Sequence, residues 1–169
     1  MVVATTQESL LQALDRSVAT ITDFLVQVDE SFFDGYQTAR EVLSHLLFWH
    51  REYVMITDAL VNGRSPHLRQ NTFVALNARA TREFRSMSMQ VLCQDLLNLQ
   101  KALAGNVRRL PDWEMAFPIK KGCRQATVTE RLQMIQEHID GHYSRLEGAH
   151  RHGEAWVEAY YPIRRHAHN

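Results

Sequence analysis

The sequence predicts an all-α protein folded as a four-helix bundle, and three observations lead there. Apolar residues recur at three- and four-residue spacing in four long segments, the pattern of amphipathic helices. No stretch of consequence alternates apolar and polar residues as a half-buried strand would. Turn-forming residues, glycine, asparagine and proline among them, fall between the segments. The chain has 169 residues, 45% of them apolar, which is enough to bury one core. Four helices of roughly 20 residues, each about 30 Å long, would enclose such a core.

The first helix is expected over about 7–28, with Leu10, Leu11, Leu14, Val18, Ile21 and Leu25 along one side. The stretch DESFFDGYQT then breaks the pattern. The second runs from about Thr38 to Leu60 through Val42, Leu46, Trp49, Tyr53 and Ile56, and NGRSP at 62–66 ends it. Asparagine and glycine tolerate a left-handed cap there, and proline cannot continue a helix. A third element begins near Asn71, pauses at RSMS, where Ser86 or Ser88 can cap a restart, and continues through Leu92, Leu96, Leu99 and Leu103 to about Val107. The 61–71 connection suits a crossover. Residues 108–126 are irregular, and a short β-hairpin or a plain loop fits them equally well. The fourth helix opens at TVTE, where Thr127 and Glu130 have capping-box spacing, and runs to about His150. Residues 1–150 therefore form the bundle domain. Residues 151–169 form a C-terminal extension, either flexible or folded back through Trp156, Tyr160 and Tyr161.

Nineteen basic residues balance nineteen acidic ones, so the chain lacks the field that draws in nucleic acid or an anionic membrane. No apolar run approaches the roughly 20 residues needed to span a bilayer. The start MVVATTQESLLQALD lacks the basic and apolar regions of a secretory leader. The two cysteines, Cys93 and Cys123, have no CxxC spacing and suit reduced thiols. These features predict a soluble cytoplasmic protein.

Nine histidines are the main chemical signal. His138 and His142, four apart in EHIDGHYSRL, lie about 40° apart around a helix and can face one ion. Two imidazoles make a weak site, and His45 on the second helix is the best third ligand. His50 lies about 140° from His45 and cannot face the same ion. Three neutral imidazoles would leave an open position for water or substrate, as a catalytic zinc-type site requires. The plainer reading is an HxxxH spacing occurring by chance in a histidine-rich chain. His67, His150 and His152 read as solvated, His50 as a surface or partly buried hydrogen-bonding residue, and His166 and His168 as a terminal tract. Glu41, Glu52 and Asp140 are candidates to orient an imidazole. Arg79 and Arg82 mark a wet helix face or could meet an anionic substrate group. A ferritin-like di-iron centre is excluded because only Glu147 and His150 have ExxH spacing. No GxSxG, P-loop or GxGxxG occurs. Cys93, inside an apolar helix, reads as inert core.

The order of these features, AREVLSHLLFWHREYV followed much later by HIDGH on the last helix, resembles the DinB/YfiT-like superfamily of four-helix bundles. The stretches EVLSHLLFWHREYVMITDALVNGRSP and NTFVALNARATREFRSMSMQVLCQDL resemble its ClbS/DfsB branch in particular, and the resemblance spans roughly 7–150. It implies a bacterial, cytoplasmic protein holding a divalent metal, zinc or nickel, on one histidine of the second helix and two ligands of the last. These map onto His45, His138 and His142. It also implies a small-molecule substrate, a homodimer, and either hydrolysis or transfer dependent on a low-molecular-weight thiol such as mycothiol or bacillithiol. An alternative alignment starts the last-helix pair at His142-Tyr143. Leu146 then stands where the second ligand should be, and the triad is broken. A rival class of function is a non-catalytic binding or stress-response module whose groove, lined by Trp49, Tyr53 and Met134, holds a small apolar ligand or a partner helix. In that reading the histidines lie apart or are bonded to carboxylates.

Overall fold

The first apolar stripe folds as α1, Val2–Leu25, with Leu11, Leu14, Val18, Ile21 and Leu25 fully buried along it. The computed structural model describes residues 2–153 together with 155, 156 and 159. The second helix, α2, is Ala39–Val61, capped by Thr38, and α3 is Phe73–Phe84, capped by Thr72. Next come α4, Met89–Arg109, capped by Ser88, and α5, Val128–His152, capped by Thr127. Between α4 and α5 a two-stranded antiparallel hairpin pairs β1, Ala116–Phe117, with β2, Ala126–Thr127. The all-α bundle expected from the sequence is therefore present, and the irregular segment before the last helix is a hairpin.

Side-chain bonds between helices fix their directions. Arg108, Gln100 and Cys93 of α4 reach Glu8, Asp15 and Thr22 of α1, so those two helices are antiparallel. His50 and Thr57 of α2 meet Gln100 and Asn106 of α4, which makes that pair parallel. His45 and Tyr53 of α2 meet His138 and Arg131 of α5, an antiparallel pair. The parallel course of α2 and α4 requires the chain to return the length of the bundle between them. Residues 62–72 and α3 make that return, and this is the crossover expected near 61–71. α1 packs on α4 and α5, and α2 packs on α4, α3 and, most lightly, α5.

Helix ends differ from the sequence expectation by several residues, and one element divides. The first helix ends at Leu25 rather than about 28, followed by a turn in which Asp29 caps the Ser31 amide. The pause at RSMS is a full break, because Ser88 accepts from the Val91 amide and starts a new helix. α2 is buried nearly all round from Val42 to His50, not along one stripe, because α3 covers the side away from the bundle axis. Both cysteines are free. Cys93 is core, and burial pushes its thiol up to about 11. At the C-terminal end, the Trp156 ring stands 5.4 Å from that of His152 and fills the space above Gly148, where a Cβ would meet it at 1.8 Å. Tyr160 and Tyr161 lie outside the described residues. No helix among the described residues is long and apolar enough to cross a membrane.

Candidate metal centre

Both helices that carry the site begin with a capping box. At the head of α2, Thr38 Oγ1 accepts from the Glu41 amide at 3.1 Å while Glu41 Oε2 accepts from the Thr38 amide at 2.8 Å. The Thr127 and Glu130 pair repeats this arrangement on α5 with the same distances. Each box satisfies orphan amides and fixes the first turn, so the phase of every later side chain follows. On α2 that phase places His45 inward among Val42, Leu46 and Phe48. On α5 it places His142 inward beside Ile139 and Leu146.

These two helices bring His45, His138 and His142 together, each with a ring nitrogen within 4.8 Å of the others. His45 Nε2 and His138 Nε2 are 2.9 Å apart. The ring centroids of His45 and His138 each lie 4.6 Å from that of His142. His45 and His142 are 4% and 7% exposed, whereas His138 is exposed. The pairing at 138 and 142 is therefore the one that meets His45. Leu146 is fully buried core one turn beyond, so the alternative pairing does not describe the cluster.

Burial disfavours the charged form of each ring. His45 is brought down to about 3 by burial, then by the neighbouring His138 and Arg145 charges. Burial lowers His142 as well, followed by His45, His138 and Arg145. His138 moves in the same direction through burial and Arg145. Neutral imidazoles are what a cation requires of its ligands. His45 Nδ1 is buried without a hydrogen bond of normal geometry. The Glu41 backbone carbonyl, one turn back, raises the proton affinity of the ring against the larger lowering by burial and charge. That carbonyl favours a proton on Nδ1, which leaves the Nε2 lone pair facing the cluster. This donor set fits a divalent ion with mostly nitrogen ligands.

None of the three carboxylates expected to orient a ring does so. Glu41 is occupied by its capping box, and Glu52 is buried in an ion pair with Arg69 at 2.9 Å. Asp140 is exposed on the outer face of α5. The group that holds His142 is a cation. Arg145 Nη2 donates to His142 Nδ1 at 2.9 Å, and Arg145 Nε donates to Asp34 Oδ2 at 2.7 Å. Asp34 is fully buried, and its Oδ1 accepts from the Tyr36 and Gln37 amides at 2.8 Å each. The sequence signal for this network is faint, a lone DG in the 29–38 turn.

Other residues fall largely as the sequence suggests. Arg79 and Arg82 are exposed on α3, and His67 and His150 are exposed. His50 makes a hydrogen bond as expected, but it is buried where a surface or partly buried position was expected. It bonds Gln100 Oε1 at 2.8 Å, and burial lowers it to about 4. Beside the histidines lies a cavity of about 360 Å³, walled by Trp49, Tyr53, Phe73, Ile119, Met134 and Arg131 among others. Trp49 Nε1 donates to Asn77 Oδ1 at 2.8 Å, and its ring lies 5.2 Å from that of Phe73.

The crystal structure of the mycothiol-dependent maleylpyruvate isomerase shares this architecture, with a TM-score of 0.67 and 13% identity over 82% of this chain. The fold is DinB-like. This chain spans 60% of that isomerase's length, and at such identity the likeness speaks for the fold alone. No protein-family model matches the chain, and no curated protein matches it in sequence.

Proposed function

We propose that this protein is a divalent-metal enzyme in which His45, His138 and His142 are the ligands, with zinc or nickel as the ion. Its substrate would be a small electrophile or thiol adduct. The observation that carries the proposal is the meeting of three neutral imidazoles from two helices beside an apolar cavity that His45 and His138 line, with no carboxylate bonded to any of them among the described residues. The rival module reading requires dispersed or carboxylate-bound rings, so this geometry counts against it. When bound, such an ion would lower the pKa of a coordinated water or thiol and supply a nucleophile at neutral pH. The chain itself contributes position and exclusion. Trp49, Phe73 and Met134 would hold the apolar body of a substrate, and the buried setting of His45 and His142 would keep bulk water from the reacting atoms. A low-molecular-weight thiol as co-substrate is supported by the mycothiol dependence of the structurally similar isomerase, and the ClbS/DfsB-like stretches leave hydrolysis as the other reaction class. A cytoplasmic setting agrees with the two free cysteines.

The experiment is elemental analysis of untagged protein. Wild type is expected to carry about one equivalent of metal, and the His45→Ala/His142→Ala double variant close to none. Equal, near-zero content in both proteins would end the metal reading.

A further inference from the structure

A charged side chain also lines the cavity. Arg131 borders it from α5, two helical turns before His138, and is only 4% exposed. Its Nε and Nη2 donate to the Phe117 carbonyl at 3.2 and 2.9 Å, and Nη2 also donates to the Arg124 carbonyl at 2.6 Å. No carboxylate pairs with it among the described residues. The other partly buried arginines differ, since Arg69 has Glu52 and Arg145 has Asp34. Beyond these carbonyls it meets only neutral groups, the Tyr53 hydroxyl and the Phe117 ring at 5.7 Å. A buried charge without an anion is incompletely compensated, and such a group is usually paired. Tyr53 stands against Arg131 from α2, and burial raises its phenol, so it keeps a proton to donate. The residues lining the cavity include no aspartate or glutamate.

We propose that Arg131 and Tyr53 form a subsite for an anionic group, carboxylate-like in size, on a ligand whose apolar body lies against Trp49 and Phe73. Arg131 precedes His138 by seven residues, so the two lie on the same face of α5 about 10 Å apart along its axis. The anion would therefore sit roughly that far from the atom that reacts. This spacing rests on the metal reading of the histidines; the subsite itself does not. Nε and Nη2 are taken by the two carbonyls, so the anion would be met by the Nη1 hydrogens together with the Tyr53 hydroxyl, through charge-assisted bonds.

The test is calorimetric titration of the full-length protein with 4-phenylbutanoate and with its neutral amide, before and after chelator treatment. Wild type should bind the acid about 10-fold or more tighter than the amide under both conditions. Arg131→Gln should erase that preference, Arg131→Lys should keep part of it, and Tyr53→Phe should reduce it. Equal affinity for acid and amide in wild type would overturn the subsite, as would no binding of either. So would a preference that survives in Arg131→Gln or vanishes with chelator, since a metal would then be the anion's partner. If Arg131 only anchors the hairpin, the variants lose thermal stability without any acid preference to lose, and the proposal fails. Should Arg131→Gln not fold, the wild-type comparison and Tyr53→Phe still decide. Metal analysis is read separately, so either proposal can fail while the other stands.

Discussion

At the scale of single residues, Arg145 is the least expected participant. A guanidinium has no acceptor, so the Nδ1 of His142 that meets it must present a lone pair. A neutral ring then carries its proton on Nε2, and ligation through Nε2 requires Arg145 to release Nδ1. The cation also repels a divalent ion. Arg145→Gln is therefore expected to tighten metal binding on the order of tenfold, measured by competition with a chromophoric chelator. The same change strips Asp34, which is fully buried, of its ion partner. The denaturation midpoint should fall by an amount equivalent to about 3 kcal/mol. Tighter binding with unchanged stability would show that Asp34 does not depend on this arginine. The histidine cluster was legible in the sequence because i, i+4 spacing and the phase of α2 follow from helical geometry. The Asp34–Arg145 pair was not, since it joins a loop to a helix 111 residues away and helical periodicity says nothing about loops.

At the scale of elements, two capping boxes set the register of the ligand-bearing helices. Thr127→Ala removes the side chain that accepts from the Glu130 amide and is expected to lower stability by about 1 kcal/mol, read as a shifted urea midpoint with unchanged slope. A loss near zero would mean that packing of Val128 and Leu132 alone fixes the start of α5. The Thr127–Glu130 box was readable because its signal is local, confined to four residues. The split of α3 from α4 was only half readable. RSMS announces a break, but whether a chain bends or restarts depends on what the flanking helices cover. The near-complete burial of α2 was hidden for a similar reason: only the position of α3 turns its outer side into interior.

For the molecule as a whole, buried neutral histidines make stability sensitive to acid. His50 has a folded-state value of about 4 against an ordinary 6.5, so between those values the unfolded chain takes a proton that the folded one refuses. The stabilisation is complete above about pH 6.5 and is lost as pH falls toward 4, by on the order of 3 kcal/mol from this residue. His50→Gln keeps a hydrogen-bonding partner for Gln100 without titrating. Its melting temperature should decline less than that of wild type between pH 6.5 and 4, and parallel declines would remove His50 from the account. The topology itself was partly legible. A long connection after α2 suggested a crossover, but the parallel course of α2 and α4 appears only when side chains of distant segments meet.

The light packing between α2 and α5 has a practical corollary. Where two neighbouring rods touch little, the gap that separates them is the place where an occupant adds the contacts that their own side chains do not make. A molecule that binds only the folded form raises its stability by mass action, about 2.7 kcal/mol at a hundredfold excess over its dissociation constant. Thermal-shift screening of compound collections, with and without added metal salts, should thus rank candidate substrates before any reaction has been observed.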